Sequence, residues 1–406
     1  MKEILKKNIA IIGGGPAALM FACSLDSNKY AISIYEKNGA LGRKFLVAGK
    51  GGFNLTHSEE IELFTSRYHP KEFIARFLKQ FSSTDFRNWL QTIGIETYVG
   101  TSKRVFPKKG IKPIEVLNNI ETELKINQVD MYFNHTWKGW LQNELVCEYQ
   151  QTKIGVKADI VVFALGGGSW KVTGSDGSWL THFENKQILT LPFVPSNCAY
   201  QINWNKDLLK LIEGNSLKNS VFTCGKTSKK GEVVMTKFGI EGSGIYALSK
   251  SIREQLLSNK KASITIDFKP ELSEIQIQKR LEDNFHLTIK DVLEKKLNLT
   301  TTQIQLLKFA TNKEQYHSPT ILSNLIKAYP LTITDFAPLD EAISTVGGIA
   351  LTEVNEHLEL NKLPNHYCIG EMLDWDAPTG GYLLQACFSM GYSLANYLNK
   401  KSLLSD

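Results

Sequence analysis

The chain has 406 residues, of which 42% are hydrophobic and 22% charged. That balance excludes a disordered or fibrous polypeptide and leaves room for two or three domains around a sizeable core. Lysine and arginine number 47 against 41 acids, a formal charge of +6, too mild to argue for a nucleic-acid partner on charge alone. No apolar run approaches the roughly 18 residues of a membrane span. The six cysteines are scattered without a C-x-x-C pair, which argues against a disulfide framework, a zinc site or a dithiol redox centre. They read instead as buried thiols of a reducing cytoplasm.

The opening Met1-Lys-Glu-Ile-Leu-Lys-Lys is charged, and the apolar run behind it breaks at Gly13, so this segment reads as a strand and not as a signal peptide. Asn8-Ile-Ala-Ile-Ile ends in Gly13-Gly14-Gly15 and turns into the Ala-rich helix signal Pro16-Ala-Ala-Leu-Met-Phe-Ala. A second strand, Ala31-Ile-Ser-Ile-Tyr, closes on Glu36. This is G-x-G-x-x-[GA] in its strand–turn–helix–strand context, the dinucleotide fingerprint. Gly13 makes the tight turn, Gly15 lets a pyrophosphate approach the backbone, and Ala18 lets the helix lie close to the strand. Pro16 fits a first helical turn, and the helix N-terminus favours an anion. Glu36 is the candidate partner of the adenosine ribose.

A loop, Lys37-Asn-Gly-Ala-Leu-Gly-Arg-Lys44, leads to Phe45-Leu-Val-Ala-Gly-Lys-Gly-Gly-Phe-Asn-Leu-Thr-His57. Amphipathic spacing predicts helices over 71–81, over 84–93 with Thr84 as cap, and over 112–125 with Pro113 in the first turn. Residues 130–148 alternate like antiparallel strands, and Ile160-Val-Val-Phe-Ala-Leu is a strand buried on both faces that ends in Gly166-Gly-Gly. From about Leu191 the character changes. Strand signals near 198–202, 221–224 and 264–268 precede a mostly helical run over 273–327. From Thr345 the Gly-rich αβ pattern returns, with a strand at 366–369, Gly370-Glu371, and a last helix over about 381–399. The pattern predicts an α/β protein: a Rossmann-like domain assembled from residues 1–190 and 345–406, with residues 191–344 inserted between them.

Three segments decide between NAD and FAD. Gly42-Arg43-Lys44 places fixed cations close behind Glu36, useful for holding a resident pyrophosphate or flavin. Ala48-Gly-Lys-Gly-Gly-Phe-Asn54-Leu-Thr56 lets backbone approach a flat ring, with Asn54 and Thr56 as hydrogen-bonding groups. Cys368-Ile-Gly-Glu-Met-Leu-Asp…Gly380-Gly-Tyr-Leu-Leu-Gln385 offers an acid after a strand and then a helix start, whose dipole favours negative charge on a reduced ring. Together they favour FAD.

On these residues the chain resembles the BaiN-like (YhiN) family of NAD(P)/FAD-dependent oxidoreductases, flavoproteins of the glutathione-reductase-like FAD-binding superfamily. The carrying stretches are Ile11-Ile-Gly-Gly-Gly-Pro-Ala-Ala, Gly42-Arg-Lys, Gly49-Lys-Gly-Gly-Phe-Asn-Leu-Thr, Arg104-Val-Phe-Pro107, Ala164-Leu-Gly-Gly-Gly-Ser169, Gly347-Gly-Ile and Gly370-Glu-Met-Leu-Asp…Gly-Gly-Tyr. The resemblance implies a split FAD domain and an insert with a small β-barrel and a helical part. It also implies that Gly13, Gly15, Ala18, Glu36, Lys37, Arg43, Lys44, Asn54, Ala164, Gly166, Gly370, Glu371, Gly381, Tyr382 and Gln385 line FAD. Much of the family has Gly-Arg-Cys-Asn where this chain has Gly51-Gly-Phe53-Asn, and Tyr-Asn-Leu-Gln where it has Tyr382-Leu383-Leu-Gln, so reactivity near the ring need not transfer.

No second G-x-G-x-x-G follows a strand; Gly239-Ile-Glu-Gly-Ser-Gly lacks a clear preceding strand and the later acid. NAD(P)H is therefore expected only as a transient co-substrate. The resemblance implies hydride transfer from NAD(P)H through FAD to a small organic acceptor such as a conjugated carbonyl compound. Tyr382 and His57 are the candidate proton donors, chosen by proximity to the flavin motifs. The alternative is a flavin-binding RNA-associated or tRNA-modification accessory protein with little small-molecule turnover. Its face would be the insert and the basic stretch Lys103-Arg-Val-Phe-Pro-Lys-Lys-Gly-Ile-Lys112, where Phe106 is the single aromatic. The expected partner is a small-molecule substrate; a nucleic acid, a membrane and a metal are not expected, the 103–112 stretch reading first as a solvated loop, and the oligomeric state is open.

Overall fold

The computed structural model describes residues 6–47, 53–142, 144–284 and 286–401. The chain forms two compact units: one takes the chain up to Val194 and again from Ser344, and the other is Pro195–Ile343.

The first unit is built on a five-stranded parallel sheet. Its strands are β1 (Lys7–Ile12), β2 (Tyr30–Glu36), β3 (Asp130–Phe133), β4 (Ile160–Phe163) and β5 (His366–Cys368), in the order β5-β4-β1-β2-β3. β1 is central, and its last four residues are buried, as are all four of β4. Such strands must be apolar on both faces because both sides of a parallel sheet are covered; Phe163 of β4, for example, packs on Trp137 with ring centroids 4.8 Å apart. Ile12 lies beside Tyr35 of β2 and Phe163 of β4, so Gly13 emerges at the carboxyl edge of the sheet centre. There the topology leaves a crevice for ligands.

Helix α1 (Pro16–Ser24) follows directly, with Ala17 to Ala22 all buried. A helix that is apolar all round is one enclosed by protein. It packs against the last helix, α2 (Tyr382–Lys401), so closely that a Cβ on Gly391 would fall 2.3 Å from the Ala17 carbonyl oxygen. The far end of the chain thereby covers its beginning.

Two local readings are corrected. Residues 130–148 are not one antiparallel array: β3 pairs in parallel with β2, because helix Pro113–Ile126 brings the chain back in the βαβ sense. Only Thr136–Leu141, Glu144–Tyr149 and Thr152–Val156 form a separate antiparallel sheet. The cap of the helix after residue 80 is Ser82, in a reciprocal capping box with Asp85, and not Thr84, which lies inside the helix Ser83–Thr92.

The second unit has a seven-stranded sheet whose outermost strands are Tyr329–Ile333 and Asp335–Phe336. Only Thr334 separates these two edge strands in sequence, so the sheet must curl until its edges approach, a barrel-like closure. Helices Glu274–Glu282, Thr301–Phe309 and Pro319–Lys327 share with it a separate core that includes Ile277, Leu306, Leu307, Leu322 and Ile326. Gly239–Glu241 is an antiparallel strand of this sheet, which removes the 239–244 glycines from consideration as a second dinucleotide turn. All six cysteines are free. Burial pushes the thiols of Cys198 and Cys224 up to about 11 and those of Cys147 and Cys387 up to about 12, so they are inert at neutral pH.

Candidate functional site

The turn after β1 is held by three contacts. The Gly13 amide donates to the Tyr35 carbonyl at 2.9 Å, the Gly14 amide to Glu36 Oε2 at 2.8 Å, and the Gly42 amide to the Gly14 carbonyl at 2.9 Å. Gly13 has φ +100°, and a Cβ there would lie 2.5 Å from the Ala164 carbonyl oxygen. Only glycine fits. At Gly15 the situation is opposite: φ is −82° and a Cβ would meet nothing nearer than Ala164 O at 4.0 Å. The backbone itself does not require glycine at this position, and no described residue crowds the place a side chain would take. α1 starts here with no side-chain cap and no acid in its first turn, which leaves its positive end available to an anion. Ala18, in the first turn of α1, is fully buried.

Glu36 is 8% exposed and already engaged. Besides Gly14 it accepts from the Asn38 amide at 2.8 Å and Asn38 Nδ2 at 2.7 Å, both at Oε1. It therefore fixes the turn from within, and Oε2, with a single donor among the described residues, keeps accepting capacity. Lys37 pairs with Asp176 at 2.8 Å, while Arg43 donates to Asn38 Oδ1 at 3.0 Å from an exposed position.

A second cluster joins remote segments. Lys44 Nζ lies 3.0 and 3.3 Å from the Glu371 carboxylate oxygens and 3.1 Å from Ser169 Oγ. Glu371 also accepts from the Thr345 amide at 3.2 Å. This clamp ties the 42–47 segment to the Gly-rich turn behind β4 and to the turn behind β5. Gly166 and Gly370 both have positive φ, +71° and +84°, so the backbone at both turns takes paths that side chains disfavour.

The third cluster surrounds the start of α2. Gly381, at φ +90°, could carry no Cβ because the Thr56 backbone is 2.6 Å from where it would sit. Asn54 Nδ2 donates to the Thr56 carbonyl at 2.7 Å, and Thr56 Oγ1 donates to Gln385 Oε1 at 2.7 Å. Gln385 is fully buried and also donates to the Phe81 carbonyl and to Ser389. Its amide holds protein segments together and presents no edge outward. Residues 48–52, the glycine-rich part of the ring-approach motif, lie outside the described residues.

Tyr382 is buried, and its hydroxyl donates to Glu59 Oε1 at 2.5 Å. Arg67 grips the same carboxylate with two bonds of 3.1 Å. His57 stacks on the Tyr382 ring with centroids 5.1 Å apart. The His57 ring accepts from the Glu59 amide at Nδ1 and faces the Ser102 carbonyl at Nε2, a pattern that requires the proton on Nε2. Burial lowers the His57 pKa, with Glu59 opposing and Arg104 and Arg67 reinforcing. Burial pushes the Glu59 carboxyl up, but the bonds from Arg67 and Tyr382 outweigh it and leave it below its usual value. Burial and the Glu59 carboxylate together hold the Tyr382 phenol far above its ordinary range. Glu59 and Arg67 carry no motif signal in the sequence; only the fold brings them to His57 and Tyr382. Arg104 lies in register beside His57, and its Nε would be 3.5 Å from a Cβ on Gly380.

A parallel sheet with a glycine turn entering a buried helix at its central strand defines a Rossmann-type nucleotide-binding protein. Residues 7–397 match the family described as HI0933-like protein Rossmann domain, and the chain belongs to that family. It is similar to the 3-dehydro-bile acid delta(4,6)-reductase of Clostridium scindens, 26% identical over 410 residues covering 95% of this chain and 97% of the relative. It is also similar to the ribosomal RNA dihydrouridine synthase of Haemophilus influenzae, 22% identical over 409 residues covering 96% and 98%. Among solved structures, the 3-ketosteroid-delta4-(5alpha)-dehydrogenase of Rhodococcus jostii RHA1 has a TM-score of 0.51 at 12% identity, over 96% of this chain and 97% of that one. At that identity the likeness is one of fold. The BaiN-like flavoprotein oxidoreductases identified from the sequence are thus this chain's relatives. Among the described residues no helix is long and apolar enough to cross a membrane.

Proposed function

We propose that the chain is an FAD-dependent reductase that takes hydride from NAD(P)H and delivers it to a carbon–carbon double bond conjugated to a carbonyl. The observation that carries the cofactor reading is the open cradle at Gly15, above an uncapped helix N-terminus at the centre of the sheet. A dinucleotide pyrophosphate fits that space and that charge. Gly13, Gly15 and Ala18 would hold the pyrophosphate, and Glu36 the adenosine ribose through Oε2. Ala164, Gly166, Gly370 and the Lys44–Glu371 pair would border the ribityl chain. Gly381 and Asn54 would lie toward the ring. Gln385 serves the site by positioning segments, since both ends of its amide are engaged with protein partners, while Lys37 and Arg43 hold Asp176 and Asn38 and keep further donors for the cofactor.

When bound, FAD supplies the two-electron carrier between nicotinamide and acceptor. Hydride adds to the β-carbon of the acceptor, a proton supplied by solvent water adds to the α-carbon, and NAD(P)H leaves as NAD(P)+. Tyr382 and His57 are positioning residues in this reading. The Tyr382 proton is held by Glu59 and the His57 Nε2 proton by the Ser102 carbonyl, so neither presents a free acidic proton. The acceptor class is supported by the two relatives' names: a 3-oxo steroid with 4,6-unsaturation in one, a uracil ring saturated beside its carbonyl in the other.

The test is anaerobic mixing of the purified protein with NADH or NADPH, followed by a 4-en-3-one steroid or a simple cyclic enone. Bleaching of the flavin band by a nicotinamide and its return on adding the enone is expected. A flavin that no nicotinamide reduces would remove the reductase reading.

A further inference from the structure

We infer that the hairpin formed by Thr97–Val99 and Arg104–Pro107 is a binding surface for single-stranded RNA. Tyr98 and Phe106 are cross-strand partners, and their rings stack with centroids 5.7 Å apart and planes 27° from parallel. Tyr98 is 48% exposed. An aromatic pair on an open strand face has no core to serve, because the buried residues of this strand, Val105 and Pro107, point the other way. Side chains alternate across a strand, so Arg104, Phe106 and Lys108 share the outer face with Tyr98. The face therefore reads cation, aromatic pair, cation. Lys108 is partly neutralised by Glu96 at 2.9 Å. Lys103 at the tip and Lys109 and Lys112 in the turn beyond have no carboxylate partner among the described residues, and all three are exposed.

Stacking platforms between positive charges are how proteins hold unpaired nucleotides: the rings take base faces and the cations follow the phosphates. The pairing supplies what residues 103–112 lack in sequence, a second aromatic. The surface is also continuous with the candidate site. The Ser102 carbonyl faces His57, the Lys103 carbonyl accepts from the Ser58 amide at 2.8 Å, and Arg104 reaches Gly380. A strand lying across the hairpin would bring one base toward the start of α2. That last step rests on the reductase reading, in which a uracil ring is a conjugated carbonyl acceptor; the binding surface does not.

The experiment is fluorescence anisotropy of the flavin-loaded protein with a labelled uridine-containing single-stranded RNA, and with the same RNA annealed to its complement. Single-stranded binding that weakens with salt is expected, and Tyr98→Ala should weaken it about tenfold, the size of one base–aromatic stack. Tyr98→Phe should retain it. Lys109→Glu with Lys112→Glu should flatten the salt dependence. Absence of binding at low salt, equal binding of the duplex, or an unchanged affinity in Tyr98→Ala and Phe106→Leu would each overturn the inference. Flavin content and NAD(P)H oxidation are read on the same preparations, so failure of the surface leaves a yellow, reducible protein. Failure of the reductase reading shows in those two readings instead.

Discussion

Gly13 and Gly15 look alike in the sequence and differ in what surrounds them. At Gly13 the positive φ and the Ala164 carbonyl make any side chain a folding defect, so Gly13→Ala should cost at least about 2 kcal/mol. At Gly15 the backbone is ordinary and the neighbourhood is open. Gly15→Val should therefore cost no more than about 1 kcal/mol, the loss of a glycine at a helix N-cap, when both are stripped of cofactor, yet retain no flavin. Equal flavin content in the two proteins would show that the cradle is not used. The Glu59 network makes a second prediction at this scale. Its groups His57 and Glu59 have native pKa values below their unfolded ones. The unfolded chain then binds more protons, so the stability they contribute is present at neutral pH and lost on acidification. The loss should begin below about pH 6.5 through His57 and continue below about 4.5 through Glu59, their unshifted values. Thermal melts of His57→Phe, which keeps the stack, should fall less steeply from pH 7 to pH 5 than those of the wild type. An identical slope would contradict the assignment. The fingerprint glycines and Glu36 were legible because their spacing follows from one turn. Glu59, Arg67 and the Lys44–Glu371 pair were not, because such contacts are made by the fold between segments with no common period.

Strands and helices follow from patterns of two and 3.6 residues, and these were readable where one face is apolar. β1, β4 and α1 announce themselves by continuous burial. β3 did not: four residues cannot show whether they pair in parallel or antiparallel, and the preceding helix decides it. Cap positions were readable only to within two residues, since Ser82 and Thr84 are both competent caps and only Ser82 has its acid at the third position. Ser82→Ala should cost about 1 kcal/mol, measured by denaturant unfolding, whereas Thr84→Ala should be nearly silent. The crossing of α1 and α2 carries a stronger claim. Gly391→Ala gains helix propensity but drives a methyl into the Ala17 backbone, and a net loss of about 2 kcal/mol is expected. A gain in stability would mean that the helices are not held at that distance.

At the scale of the molecule, the chain leaves the nucleotide-binding unit after Val194 and returns at Ser344. The sequence reading placed the change of character at 191 and 345, where prolines and strand signals mark it. Each unit has its own hydrophobic cluster, so calorimetry should resolve two transitions, and added FAD should raise only one of them by mass action on its native state. A single transition that shifts as a whole would contradict independent cores. The surface chemistry of the 97–107 hairpin was legible only in part: the basic run from Lys103 with Phe106 shows in the sequence, but its second aromatic does not, because Tyr98 and Phe106 meet only through strand pairing. The central claim is that the turn at Gly13–Gly15 holds a resident FAD. The most direct measurement is the absorption spectrum of the purified protein, with the released chromophore identified after denaturation. The account predicts a flavin spectrum and one FAD per chain, lost in Gly15→Val. A colourless wild-type protein that FAD does not reconstitute would contradict it.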